Sequence, residues 1–445
     1  MAELDGGRRS RHVAGIMNIS ITSARAAGVT ARRILLASLA GTSVEFYDFY
    51  IYATAASLVL GPLFFPSADA SAQLLLSYAT FGLAFVARPL GSLIFGHFGD
   101  RIGRKSTLVA SLLMMGVSTV AIGFLPAYAT IGWWAPAILC VLRFGQGFGL
   151  GGEWGGAALL AVENAPPGYR ARFGMMPQLG APVGFIAANG LFLLLGIFLT
   201  PEQFQSWGWR LPFLASTVLV GLGLWVRLKL TETPAFEAAL AHAPPARVPV
   251  FEVVRDYPRE VIGGLFAAVV CFAIFYLSTA FALGFGTKNL HIDRGLFLEI
   301  QLGAILFLAV GIVVAGIWAD RSNPRRVLMA GCGMTVVVGL LLAPMLGSGS
   351  LVLIWLFLSL ALFTMGFVYG PLGAFLPGLF PARVRYTGAS LAFNAGGILG
   401  GGIAPVLAQT LADRGGLPFA GLYLGSAAAI SLVAFWSLKR HPHLV

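Results

Sequence analysis

Twelve long apolar stretches, parted by short polar turns, occupy the chain between residues 34 and 438. They fall at about 34–64, 72–96, 106–126, 131–162, 173–199 and 209–230, then at about 261–287, 295–318, 327–347, 350–376, 387–412 and 418–438. An α-helix rises 1.5 Å per residue, so roughly 20 apolar residues cross the hydrocarbon of a bilayer. Several stretches are longer, which predicts tilt, kinks or ends that project from the membrane. The pattern predicts an all-α membrane protein of twelve transmembrane helices. Residues 1–33 are read as a cytoplasmic tail without a secretory signal, 34–230 as one six-helix bundle, and 231–260 as a polar cytoplasmic link. Residues 261–438 are read as a second six-helix bundle and 439–445 as a cytoplasmic tail.

The two halves repeat each other. Gly99-Asp100-Arg101-Ile102-Gly103-Arg104-Lys105 follows the second stretch, and Ala319-Asp320-Arg321-Ser322-Asn323-Pro324-Arg325-Arg326 follows the eighth. Pro167 with Arg172-Phe173-Gly174 follows the fourth, and Pro381 with Arg385-Tyr386-Thr387-Gly388 the tenth. Paired motifs at the same place in two six-helix units indicate a duplicated bundle, an architecture that binds a solute between its halves near the bilayer midplane. Of the 29 Lys and Arg residues, 23 lie in the tails and loops of one side and 4 on the other. The positive-inside rule makes the rich side cytoplasmic and places both termini there.

Composition removes other classes. Hydrophobic residues make up 58% of the chain and charged ones 11%, against about a quarter charged in soluble domains. A net charge of +11 would suit a nucleic-acid partner, but the basic residues form short clusters between apolar runs, with no continuous basic face. Cys140, Cys271 and Cys332 sit inside apolar runs at spacings that fit neither zinc nor a disulfide framework. Gly147-Phe148-Gly149-Leu150-Gly151-Gly152 matches a dinucleotide-loop pattern, but no strand precedes it. Gly147, Gly151 and Gly155 instead predict close helix packing. No convergent nucleophile, base or metal ligands are found, so neither an enzyme nor a cofactor is expected; the expected partners are a small solute, protons and lipid, with the chain as a monomer.

Charges inside apolar spans are the strongest functional signal, because they are costly there. Glu45 and Asp48, three residues apart, share a helix face near mid-membrane; they read either as a proton-coupling pair or as a static ion pair. Arg143 reaches a similar depth and is the expected partner for one of them. Arg88, with no acid in its own span, is expected to face a wet cavity and bind a substrate carboxylate; the alternative is snorkelling to the cytoplasmic face. Glu153 reads as a second proton site or as a gate contact. Asp100, Arg101, Arg104, Lys105, Asp320 and Arg321 read as a charge lock between helices, or as topology determinants. Tyr47, Tyr50, Tyr52, Trp154, Tyr276 and Tyr369 lie within spans, where each either lines the cavity or packs. Trp133, Trp134, Trp207 and Trp209 suit an interfacial belt.

Taken together, these features resemble the major facilitator superfamily, and within it the metabolite:proton symporter family. The resemblance rests on the loop at Gly99–Lys105 with its weaker copy, Glu45-Phe46-Tyr47-Asp48-Phe49, Arg88-Pro89-Leu90-Gly91, Arg143 with Gln146-Gly147, and Gly151-Gly152-Glu153-Trp154-Gly155-Gly156. It also covers Trp207–Phe213, Glu232–Phe236 and Phe380–Gly388. It implies a twelve-helix fold and alternating-access, proton-driven uptake of a small organic acid or zwitterion. The family's substrates include shikimate, 2-oxoglutarate, citrate, proline and betaine. It implies substrate contacts from Tyr47, Arg88, Arg143, Gln146, Trp154, Tyr276 and Tyr369. A multidrug or metabolite efflux antiporter on the same fold is the rival reading, and a non-transporting sensor a more distant one. Two departures stand out. Gly378 occupies a place that is usually acidic, and Ser322-Asn323-Pro324-Arg325-Arg326 lacks the internal glycine of the loop motif.

Overall fold

The computed structural model describes residues 35–66, 70–228 and 249–438. Both tails, most of the link between the halves, and residues 232–236 lie outside the described residues. Twelve long helices run through the described part: α1 (35–64), α2 (Ala70–Ile102), α3 (Arg104–Phe124), α4 (Trp134–Glu163), α5 (Arg170–Phe198) and α6 (Gly208–Leu228), then α7 (Pro258–Lys288), α8 (Arg294–Arg321), α9 (Pro324–Leu346), α10 (Leu351–Phe375), α11 (Ala382–Gly415) and α12 (Leu417–Ser437). Helix is what a bilayer demands, because backbone groups there must be satisfied within the segment.

Ten of these helices are long and apolar enough to cross a membrane by composition alone. The other two, α1 and α4, carry Glu45, Asp48, Arg143 and Glu153. The molecule is inside-out by soluble standards. Val218, Phe198 and Trp436 are 74%, 78% and 71% exposed, whereas Asp48, Arg143 and Glu153 are fully buried. Trp133 and Trp134 are exposed and stacked at 4.2 Å, as an interfacial belt requires. Trp209 departs from that expectation. It is buried against Phe64 and Phe213, because the turn before α6 folds it inward.

Glycine sets the closest helix contacts. A Cβ on Gly147 would lie 2.5 Å from the carbonyl oxygen of Ala84, and one on Gly151 would meet the carbonyl of Arg88, so α4 rests directly on the α2 backbone. Gly155, next in the series, faces Ser390 of α11 in the opposite half. The same helix therefore packs within its own half and across to the other. The halves meet where α2 and α4 pack on α11 and where α5 packs on α8. Part of the expected polar link is a helix, Pro249–Asp256, whose Glu252 pairs with Arg383 at 2.5 Å.

Candidate functional site

One end of the bundle is closed by two matching caps. Asp100, at the end of α2, accepts hydrogen bonds from the backbone N–H of Tyr386 (3.2 Å) and Thr387 (3.0 Å) and from the Thr387 hydroxyl (2.8 Å). Asp320, at the end of α8, accepts from the N–H of Ala171 (2.7 Å) and Arg172 (3.1 Å). Each aspartate of one half thus sits on the first turn of a helix of the other, α11 or α5, where free N–H groups and the helix dipole favour an anion. Backbone N–H groups thus supplement the charge lock expected at Asp100, Arg101, Arg104, Lys105, Asp320 and Arg321. Arg101 is exposed and meets His97 at 3.3 Å, Arg321 is exposed, Lys105 is half-buried, and the Arg104 side chain lies outside the described part. Charged contacts across the halves include Arg172–Asp320 at 3.3 Å and Arg385–Glu163 at 3.4 Å. The C-terminal half has Gly378 where a second acid would stand, and Arg172 turns to Asp320 instead.

If the caps hold this end shut, Asp100→Asn and Asp320→Asn should each open it. A hydrogen bond to a charged group contributes about 1.5–3 kcal/mol, so the open fraction should rise about tenfold or more. Spin labels at the exposed positions Pro166 and Ser322 read this directly. Unchanged label distances in both variants would make the caps incidental.

Behind the cap lies a buried ion pair. Glu153 of α4 pairs with Arg227 of α6 and accepts from the Ser111 hydroxyl at 2.8 Å; Arg227 also donates to the Leu108 carbonyl at 2.7 Å. Of the two readings of Glu153, the geometry favours a contact that holds helices together. Arg227 was counted among the loop charges because it lies in the last turn of α6. It is 3% exposed and turned inward, beside Gly41 of α1.

A second polar network fills the N-terminal half. Asp48 accepts from Ser216 of α6 at 2.5 Å. Gln146 donates to the Asp48 carbonyl (3.0 Å) and to the Thr119 hydroxyl (2.8 Å), and accepts from Arg143. The guanidinium of Arg143 lies 4.0 Å from the Tyr52 ring centroid and 4.9 Å from that of Phe49. The expected ion pair of Arg143 with Glu45 or Asp48 is therefore replaced by an amide and aromatic faces, which attract a cation electrostatically. Tyr47 donates to the Pro212 carbonyl at 2.9 Å and ties α1 to α6. Tyr47 and Gln146 are bonded within this half; Arg143 also has Tyr276 of α7 among its electrostatic neighbours, and its Nε and Nη2 are unpartnered.

Glu45 is different. It is 1% exposed, neither carboxylate oxygen has a hydrogen-bond partner, and its charged neighbours are Arg88, Glu153 and Arg227. Arg88 is 3% exposed, held over Phe49 and Phe85 at 5.2 and 5.4 Å, with Nε unpartnered. Snorkelling is excluded by that burial. The electrostatic neighbours of Arg88 include Glu45, Tyr50, Tyr276 and Tyr369. Trp154 stacks on Phe393 of the other half at 3.7 Å and 7°, and donates to Gln178 at 3.1 Å. Tyr369 lies over Phe393 with its hydroxyl beside Trp154, and Gln178 Nε2, Ser390 Oγ and Asn394 Oδ1 are unpartnered. Buried polar atoms are almost always bonded. An accumulation of unbonded ones on α1, α2, α5 and α11, drawn from both halves, marks a place built to bond something else. Towards the uncapped end, Phe81 and Phe85, on which Phe49 packs, meet Tyr276, and Tyr50 meets Phe275 at 5.7 Å, which covers the site with aromatic rings from both halves.

Sequence reasoning found Glu45, Arg88, Trp154, Tyr276 and Tyr369. It missed Gln178, Ser390 and Asn394, although polar side chains within apolar spans are themselves a signal. Phe393 carried none.

Residues 34–247 match the family model described as Sugar (and other) transporter. The inner membrane metabolite transport protein YhjE of Escherichia coli K12 is 50% identical over 407 residues, which is 90% of this chain and 92% of that protein. The chain belongs to the major facilitator superfamily. The shikimate transporter of the same organism is 40% identical, over 86% of this chain and 88% of its own. Among solved structures, the superfamily's proton:xylose symporter XylE superposes with a TM-score of 0.72 at 16% identity, over 92% of this chain and 96% of that one, a likeness of fold. The protein is a multi-pass membrane transporter and not an enzyme, and it is similar to metabolite carriers.

Proposed function

We propose that this transporter carries a small organic acid or zwitterionic metabolite into the cell together with a proton. The observation behind this reading is the buried Glu45, with neither oxygen bonded, and its electrostatic neighbour Arg88, whose Nε is unbonded. An arginine fork binds a carboxylate bidentately. A carboxylate without a partner is free to exchange a proton or to meet a substrate cation. Intramembrane ionisable groups mark substrate paths and proton relays as a rule. Relatives add support: one bears the name shikimate transporter, and a protein named putative proline/betaine transporter from Staphylococcus aureus is 31% identical over 94% of this chain.

In this reading 34–230 and 261–438 are the two bodies that rock about the site, both termini are cytoplasmic, and the carrier works as a monomer in the inner membrane. The caps at Asp100 and Asp320 close the cytoplasmic end. Glu45 and Asp48 are the candidates for the coupling proton. Arg88, Trp154, Tyr276 and Tyr369 line the site.

The test is uptake into proteoliposomes of a panel of hydroxy acids, dicarboxylates, proline and betaine, with and without an imposed pH gradient. At least one solute should accumulate when the interior is alkaline, and a protonophore should abolish the accumulation. Uptake of every panel member that ignores the gradient would remove proton coupling from the proposal.

A further inference from the structure

Among the described residues three helices carry a π-helical segment; one is α11, over Ile398–Gly402, and the other two lie at matching places of the halves. α1 is π-helical over Ala56–Leu60, and α7 over Leu277–Phe281. The two segments lie 221 positions apart, nearly the separation of Asp100 and Asp320, so they are equivalent features of the two halves. Both lie towards the uncapped end, beyond the candidate site. A π turn breaks the regular i→i−4 ladder and leaves carbonyls that need other donors. In a bilayer water is not at hand to supply them.

Each segment finds its donor on the next helix. The Ser77 hydroxyl of α2 donates to the Ala56 carbonyl at 2.8 Å. Gln301 of α8 donates through Nε2 to the carbonyls of Ser278 (3.1 Å) and Thr279 (2.8 Å). The side chains of Ser278 and Thr279 turn back to the carbonyls of Ile274 and Phe275, both at 2.7 Å, a pattern that bends helices. Gln301 is 2% exposed. Tyr276, which closes over Phe81 and Phe85, is the residue just before the α7 segment.

We propose that Ser77 and Gln301 are positioning residues that hold the π turns of α1 and α7 in the closed arrangement of the uncapped end, and so oppose the aspartate caps at the other end. The inference rests on the alternating-access reading. α2 and α8 then carry both controls: a brace for the helix beside them at one end, and a cap for a helix of the opposite half at the other. Without the Gln301 amide, two carbonyls lose their donors. The closed arrangement is weakened, and α7 gains by rewinding.

Gln301→Met keeps length and bulk but removes the donor. Spin labels at Gln205 and Asn289, both exposed at the uncapped end, should show the open population rising about thirtyfold for two lost hydrogen bonds of about 1 kcal/mol each, with labels introduced in a background free of Cys140. Ser77→Ala should act in the same direction and less strongly. Adding Asp100→Asn to Gln301→Met should return the balance towards wild type, since the two changes favour opposite openings. A general loss of stability would instead be worsened by the second substitution. Label distances that move with Asp100→Asn but not with Gln301→Met or Ser77→Ala would overturn the brace while leaving alternating access intact. Distances that respond to none of them would remove the alternating-access reading itself.

Discussion

Arg88→Ala is expected to weaken binding of the best carboxylate substrate by about tenfold to a hundredfold, as the loss of hydrogen bonds of about 1.5–3 kcal/mol to a charged group implies. The guanidinium carbon lies 5.2 Å from the Phe49 ring centroid and 5.4 Å from that of Phe85. Its hydrogen-bonding capacity is not spent on Glu45, whose oxygens are unbonded. Arg88→Lys keeps the charge but loses both the planar fork and the flat stacking, so it should fall between wild type and alanine. Binding to the purified carrier, by calorimetry or by substrate protection of a labelled cysteine, reads the series. Equal affinity in all three folded proteins would make Arg88 a packing residue and leave the anionic substrate resting on relatives alone. A neutral analogue lacking the carboxylate supplies the internal control. Its affinity should be indifferent to the substitution, because nothing in it meets the fork.

The fold was legible in the sequence because the bilayer simplifies it. A helix that must be apolar over about 20 residues announces its length, and twelve such runs left little choice. The caps were half legible. Asp100 and Asp320 were found from their repeat, but their partners are backbone N–H groups at the start of α11 and α5, and no side-chain pattern advertises a backbone donor. Ion pairing was the least legible. Glu45, Asp48 and Arg143 share a depth, and depth suggested a pair. Which side each helix turns to its neighbours decided otherwise: Asp48 faces Ser216, Arg143 faces Tyr52 and Gln146, and Glu45 is left for Arg88. Arg227 shows the reverse error. Its place near a helix end matched a loop charge, yet Glu153 draws it inside. In both cases the missing information is the rotation of a helix about its own axis, which apolar surroundings on all sides leave unmarked.

That rotation also ranks the two acids of α1, and from it comes the second large effect. Glu45→Gln should abolish gradient-driven accumulation while leaving exchange of pre-loaded solute in place. One proton per solute supports an accumulation of about tenfold per pH unit, since each unit is worth 1.36 kcal/mol. In the variant the ratio should fall to about one. The reason is structural: glutamine fills the same space beside Arg88 but has no proton to carry, so the loaded carrier still reorients and the empty one is no longer tied to protonation. Asp48 sits in a tighter setting, bonded to Ser216 and backed by Gln146 on its own carbonyl. Asp48→Asn should therefore lower the transport rate through the packing of α1 on α6 more than it alters the accumulation ratio. Measuring the steady-state ratio and the exchange rate together separates the two roles. Loss of accumulation in Asp48→Asn with a normal ratio in Glu45→Gln would transfer the proton to Asp48. Wild-type accumulation in both single variants and in the double variant would place the coupling proton on neither, and Glu153 with its Arg227 partner would be the next buried acid to test.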